Sequence, residues 1–119
     1  MTFDEFIGVS YQDGDTATID IQSHHCNPTG NINGGVLISI ADNLSTGAAG
    51  RAYLEKTGEQ KFLVGIDLHA SMVANQLGGQ ITAQALPVKV GRRIVVVRTE
   101  VTGDNNRLLA VVTTTHVPN

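Results

Sequence analysis

The sequence predicts an α+β fold, with one long helix packed against a long antiparallel sheet in a single domain over residues 1–119. Three observations predict it. Residues 34–55 carry apolar side chains at helical spacing, and nearly every other stretch alternates at strand spacing. A chain of 119 residues can also bury one substantial core.

The elements follow in order. Residues 7–13 and 16–22 read as two short strands flanking Gly14. The second alternates, with Ala17, Ile19 and Ile21 on one side and Thr18, Asp20 and Gln22 on the other, which is a hairpin signal. Residues 23–33 are rich in Asn, Gly, Pro and His and read as an ordered loop. In the helix, Leu37, Ile40, Ala41, Leu44 and Ala48 form one apolar stripe, with Ser39, Asp42, Asn43 and Thr46 forming a polar stripe beside it. Gly47 and Gly50 each lower helix propensity by up to about 1 kcal/mol, which close packing would explain. After Gly58 the pattern is strand. Phe62, Val64, Ile66, Leu68, Ala70 and Met72 alternate with Leu63, Gly65, Asp67, His69 and Ser71, so Asp67 and His69 are expected on the face of Gly65. A turn at Leu77-Gly78-Gly79 leads into residues 80–89, where Pro87 marks an edge, a bend or a bulge because it has no N–H to donate. Residues 93–102 and 108–117 are two further strands joined through Gly103-Asp104-Asn105-Asn106. The order is β-β-α-β-β-β-β, and the most economical packing wraps the sheet around the helix.

Composition narrows the function classes. The chain is 41% hydrophobic, 16% charged and only 4% aromatic, so aliphatic side chains and alanine must supply the packing. Its formal net charge of −3 provides no basic footprint for nucleic acid or an anionic membrane. A lone cysteine, Cys26, allows no intramolecular disulfide and no cysteine metal motif. The adjacent His24 and His25 diverge in an extended segment without further ligands at zinc-site spacing, so no metal is expected and both histidines are placed on the loop surface. His116 carries no site signal. The acidic N-terminal stretch lacks a signal-peptide core, and no segment approaches a membrane span; a soluble, cytoplasmic protein is expected. One oddity remains: Asp42 sits within an apolar run, where a buried charge is costly unless it is paired, hydrogen-bonded or used.

Asn27, Gly30, Asn33-Gly34-Gly35 and Ala41-Asp42 follow one another in an order and spacing that resemble the small acyl-CoA thioesterases of the PaaI-like group. Gly65-Ile66-Asp67-Leu68-His69 is similar to that group's third-strand segment, and Val90-Gly91-Arg92-Arg93 sits where its members turn between long strands. The similarity covers most of the chain. It implies a hotdog fold, with the central helix wrapped by an antiparallel sheet, and hydrolysis of an acyl-CoA thioester to a carboxylic acid and CoA. It also implies no cofactor beyond the CoA of the substrate, and a homodimer or a tetramer built as a dimer of dimers. That group usually carries His where this chain has Asn33. An amide donates and accepts hydrogen bonds but is neither an acid nor a base near neutral pH, so Asn33 can replace a positioning His but not a proton-transferring one.

Thioester hydrolysis needs a polarised carbonyl and a nucleophile. The helix start supplies unpaired N–H groups and the positive dipole end, and Gly34 and Gly35 would let a carbonyl oxygen approach them. The plain alternative is a tight helix start. Asp42 lies about 11 Å along the helix from Gly35, too far to act on a carbonyl held there. The resemblance resolves this with a site shared across a dimer interface, where Asp42 of one subunit serves the helix start of the other. Asp42 would then be general base or nucleophile, routes the sequence does not separate. The structural alternative is a carboxylate hydrogen-bonded to Ser39 or Thr46. Asn27 could orient water or the carbonyl, and is also an ordinary turn residue. Asn43 and Thr46 are supporting candidates, and Gly65 takes the place of the group's usual polar strand residue. Arg92 and Arg93, with Lys89, form the one tight basic cluster suited to CoA phosphates. Arg51 is placed to offset the helix C-terminal dipole. Two other functions stay open. One is an acyl-CoA-binding module that does not cleave its ligand, favoured by Asn33 and Gly65. The other is a hydroxyacyl thioester dehydratase, loosely echoed by His25 before Gly35-Val36-Leu37.

Overall fold

The computed structural model describes residues 1–119. Its elements are α1 (Phe3–Ile7), β1 (Val9–Gln12), β2 (Thr16–Asp20), α2 (Gly34–Thr57), β3 (Leu63–Met72), β4 (Gln80–Val90), β5 (Val95–Thr102) and β6 (Leu108–Pro118). The six strands form one sheet in the order β1-β2-β4-β5-β6-β3, with every neighbouring pair antiparallel. The long helix α2 packs on β2 through β6. This is the hotdog arrangement. No helix is long and apolar enough to cross a membrane.

The helix stripe is buried as its spacing requires. Leu37, Ile40, Ala41, Leu44 and Ala48 all lie in the core, joined by Ala49 and Tyr53. They meet Ala17 and Ile19 of β2, Ile81, Ala83 and Ala85 of β4, Val95, Val97 and Val101 of β5, and Leu109, Ala110 and Val112 of β6. Alanines on both surfaces let the helix axis come close to the sheet, which compensates for the scarcity of aromatic side chains. Asn33 caps the start of α2, and Gly58 ends it in the left-handed conformation with φ 76°. Close approach accounts for Gly47, where a Cβ would stand 3.1 Å from the Arg51 guanidinium, but not for Gly50, where it would lie 3.9 Å from the Lys61 carbonyl, an ordinary contact.

Two local features differ from the sequence reading, and a third selects among its alternatives. Residues 3–7 form α1, closed by a capping box between Thr2 and Glu5 and by Gly8 in the left-handed region. Five residues are too few to show an apolar period, so only the capping pair could have announced this helix. The first strand is accordingly confined to Val9–Gln12. Pro87 resolves as a bulge, the register of β4 against β5 shifting between Pro87 and Lys89. The second difference is another bulge, in β3. Gly65 pairs with His116, but the next pairs are Asp67 with Thr115 and Leu68 with Thr114, leaving Ile66 unpaired. Cross-strand partners share a face, so this one extra residue moves Asp67 and His69 to the face opposite Gly65 and brings Leu68, Ala70 and Met72 onto the α2 side. The expected shared face of Gly65, Asp67 and His69 is thereby overturned.

β3 is an edge strand, bonded to β6 on one side only. Its apolar side chains are left open, with Val64 38%, Ile66 61% and Leu68 39% exposed.

The stripe makes a direct prediction. Ile40→Ala, at a fully buried position, should destabilise the chain by about 2–5 kcal/mol in urea denaturation. Leu54→Ala on the same helix, where the side chain is 43% exposed, should stay within about 1 kcal/mol of wild type.

Candidate active site

The loop before α2 is fastened by backbone and side-chain bonds. Asn33 N–H donates to the His25 carbonyl at 2.8 Å. Ile32 has both backbone groups held by the Asn75 side-chain amide, at 3.0 and 2.9 Å. His25 is buried rather than on the surface. Its Nδ1 accepts from Gln22 N–H at 2.8 Å, so the ring proton sits on Nε2 and is donated to the Ile7 carbonyl at 2.8 Å. Its exposed neighbour His24 reaches the Phe6 carbonyl with Nε2 at 3.0 Å. The two rings thus occupy carbonyls that the end of α1 leaves unpaired. Burial lowers the His25 pKa from its usual 6.5, with the Ile7 hydrogen bond opposing that shift. With both ring nitrogens committed to the backbone, His25 has no lone pair for dehydratase chemistry, and the echo of that reaction is lost.

At the helix start, Asn33 Oδ1 accepts from Gly35 N–H at 2.8 Å. This is an N-cap, and it occupies one of the two amides expected to face a carbonyl. The other, Gly34 N–H, has no acceptor within the helix, as the first amide of a helix never does. Met72 Sδ lies only 2.8 Å from where a Gly34 Cβ would stand, so β3 passes directly beside the helix start. Asn27 is a turn residue: its Oδ1 accepts from the N–H of Thr29 at 3.0 Å and from its hydroxyl at 2.5 Å. Asn27, Asn33, Gly34 and Gly35 therefore gather at one end of α2.

Asp42 stands apart from them, two turns along the helix, and its side chain is exposed. The carboxylate flanks the apolar stripe instead of lying in it, so its charge is not buried. Its carboxylate oxygens accept no hydrogen bond. The Ser45 and Thr46 hydroxyls donate to the Asp42 backbone carbonyl instead, at 3.0 and 2.9 Å. The structural alternative of a carboxylate held by Ser39 or Thr46 is not what the chain forms. Asp42 instead borders an open cleft of about 290 Å³ with Gly65, Ile66, Asp67, Leu68 and Thr114, along the free edge of β3.

One residue of this region was missed. His116 is fully buried on β6, with Nε2 at 2.8 Å from Thr114 Oγ1. Its Nδ1 and Thr99 Oγ1 are the buried side-chain polar atoms without a partner. A Cβ at Gly65 would lie 3.7 Å from His116 Nδ1 and 3.9 Å from Asp42 Oδ1, so the two ionisable groups approach the same space from β6 and α2. Burial lowers the His116 pKa from 6.5, and the Asp42 charge acts in the opposite direction. The signal was the alternation of the last strand, which sets His116 on the core face with Ala110, Val112 and Thr114.

The remaining candidates lie elsewhere in the protomer. Asn43 Nδ2 donates to Asp4 Oδ1 at 2.7 Å, tying α2 to α1 on a different flank of the helix from Gly65. Thr46 lines the same cleft as Asn43. Arg92 and Arg93 are exposed in the β4–β5 turn and form no salt bridge. The Arg92 carbonyl accepts from Tyr53 Oη at 3.1 Å, which places this turn near the far end of α2, away from Gly34. Arg51 does not face the helix C-terminus; its Nε donates to Asp15 Oδ1 at 2.9 Å, in the β1–β2 turn.

The sequence pattern of the thioesterase superfamily matches residues 29–110, and the chain belongs to that family. A curated Haemophilus influenzae protein with a provisional esterase name is 32% identical over 95 residues, covering 80% of this chain and 66% of that protein. The chain thus spans just under two thirds of that relative's length. The solved structure of a Haemophilus influenzae thioesterase superimposes with a TM-score of 0.84 at 26% identity, covering 96% of this chain and 80% of the other. A Bacillus halodurans protein solved with CoA gives a TM-score of 0.85 at 18% identity, covering 96% and 73%.

Two predictions follow from the fastened helix start and the buried rings. Asn33→Ala removes the cap and should cost about 1 kcal/mol in thermal or urea unfolding. His25 and His116 both titrate lower in the folded state than the 6.5 of an unfolded chain. The unfolded state therefore binds more protons below that value. Their contribution to stability is complete above pH 6.5 and declines as the pH falls through and below it. Melting temperatures at about pH 8 and about pH 5.5 should differ less in His25→Gln than in wild type, because the amide does not titrate.

Proposed function

We propose that the chain hydrolyses an acyl-CoA thioester in a site completed by a second copy of itself. The observation that carries this reading is the course of β3, an open edge strand running from Gly65 beside Asp42 to Met72 beside Gly34. Antiparallel pairing of two such edges about a two-fold axis near mid-strand sets the Gly65 end of one copy against the Met72 end of the other. Asp42 of one protomer then meets the α2 start of its partner, crossing the gap of about 11 Å that separates the two within a protomer. The exposed Val64, Ile66 and Leu68 are the side chains such pairing would cover.

In this reading the thioester carbonyl sits at the α2 start, polarised by Gly34 N–H and the helix dipole. With its oxygen fixed by Gly35 N–H, the Asn33 side chain is held as a cap and its NH₂ remains a donor for the carbonyl oxygen. This is positioning without proton transfer. Asp42, having no protein hydrogen bond to its carboxylate, takes a proton from water as hydroxide adds to the carbonyl carbon. Collapse of the tetrahedral oxyanion breaks the C–S bond, and the CoA sulfur leaves with the proton. Alternatively Asp42 itself adds, the thiolate leaves, and water cleaves the mixed anhydride. The open Asp42 cleft suits either route. The Bacillus halodurans protein's CoA supports the choice of acyl carrier, and Arg92 and Arg93 are the free cations proposed for its phosphates.

The second reading is a module that holds acyl-CoA intact. It is favoured by the commitment of Asn33 Oδ1 to the helix cap, which leaves the α2 start with no titratable side chain.

The test is hydrolysis of a panel of acyl-CoA esters by wild type and Asp42→Asn. The variant should lose about 100-fold or more in kcat, since a carboxamide cannot take the proton. Equal turnover removes Asp42 from the mechanism, whereas a tight wild-type complex that stays intact for hours selects the binding module.

A further inference from the structure

We propose that His116 is a positioning residue for the Asp42 carboxylate, acting across the space that Gly65 keeps open between β3, β6 and α2. The inference rests on the hydrolase reading above and adds a residue which that reading does not use.

The geometry is specific. His116 is fully buried, and one of its nitrogens is already engaged, Nε2 lying 2.8 Å from Thr114 Oγ1. The Thr114 hydroxyl has a second acceptor within reach, the Val97 carbonyl, but at 3.5 Å. Two arrangements meet these contacts: Nε2–H donates to Oγ1 while the hydroxyl donates to the Val97 carbonyl, or the hydroxyl donates to Nε2 and the ring proton sits on Nδ1. The Asp42 carboxylate beyond Nδ1 selects the second, because it attracts a donor and repels a lone pair. That nitrogen is one of the two buried side-chain polar atoms without a partner. It borders the space above Gly65, within 3.7 Å of where a Cβ would begin, and Asp42 Oδ1 borders the same point at 3.9 Å. A buried donor needs an acceptor, and an exposed carboxylate on the facing helix supplies one, directly or through a water in the space.

The surroundings hold no rival for the proton. On β3 the neighbours on this face are Gly65 and Leu68, since the bulge at Ile66 sends Asp67 and His69 to the other face. On β5 the cross-strand neighbour is Val95 and the next residue on that face is Val97. Asp42 is the one charged group facing the ring from α2. Burial keeps the imidazole neutral near pH 7, so it serves as a hydrogen-bond donor and not as a counter-charge. Holding one carboxylate oxygen leaves the other free for water or the thioester.

Gly65 offers a test that leaves both partners in place. In Gly65→Ala the methyl group meets His116 and Asp42 at ordinary contact distances, so the fold is kept, but it fills the space between them. Turnover of the acyl-CoA panel is expected to fall about 10-fold or more in kcat with little change in KM. The acid limb of the pH–rate profile should move to higher pH, because a carboxylate that loses a donor is easier to protonate. Gly65→Ser should recover most of the lost rate, its hydroxyl bridging ring and carboxylate; a purely steric block would worsen with the larger side chain. Independently of activity, ¹⁵N NMR should show the His116 pKa falling in Asp42→Asn. Wild-type kcat and an unmoved acid limb in Gly65→Ala, with His116 signals indifferent to Asp42→Asn, would overturn the assignment. Equal turnover by wild type and Asp42→Asn sinks the hydrolase reading instead, and the NMR comparison, which uses no substrate, still decides whether ring and carboxylate are coupled.

Discussion

Burial of the α2 stripe against the alanine-lined sheet is the contact on which the rest of the structure depends. Leu37, Ile40, Ala41, Leu44 and Ala48 fix the rotation of the helix about its own axis. Once that rotation is set, Asp42 can only emerge on the flank beside β3, and Asn43 on another flank towards α1. The axial position is set at the other end. Asn33 caps the first turn, His25 and Asn75 hold the preceding loop, and Met72 closes against Gly34. Helix rotation and helix start together decide where both halves of the candidate site stand.

The polar groups around this frame fall into two kinds. His25 is satisfied at both nitrogens by backbone, and its burial stabilises one loop geometry in its neutral form. His116 and Asp42 are the opposite case: one is buried with a nitrogen unpaired, the other is exposed with no hydrogen bond to its carboxylate. A buried orphan of this kind costs about 1–3 kcal/mol, a large share of the stability of a domain this size. Its retention beside a carboxylate therefore asks for a role beyond packing.

The helix and the strand order were legible because both rest on repeated burial. Five apolar positions at helical spacing outweigh the helix-weakening Gly47 and Gly50, and strand alternation survives in β2, β5 and β6. The bulge at Ile66 was not legible, because apolar alternation runs straight through it and only pairing with β6 shows that a residue has dropped out. For the same reason Asp67 and His69 were given the wrong face. His25 and His116 were misjudged as residue types: histidine is ambiguous between surface and core until its hydrogen-bond partners are known. Asn33 reads locally as a helix cap, and its Oδ1 contact with Gly35 N–H fills that role. The exposure of Asp42 is not legible from neighbours that are apolar on average, because it depends on which flank of the helix meets the sheet.

The two borders of the sheet are unequal, and this bears on how far the molecule can grow by strand addition. β3 offers ten residues of open edge, while β1 at the far border has only four, Val9–Gln12, followed directly by a turn. A two-fold pairing at β3 consumes the long edge of both copies at once and leaves only the short borders outside. Head-to-tail addition of β1 onto β3 would match four residues against ten and carry the bulge at Ile66 into the junction. The short β1 border, running straight into a turn, is the less inviting of the two edges for strand addition.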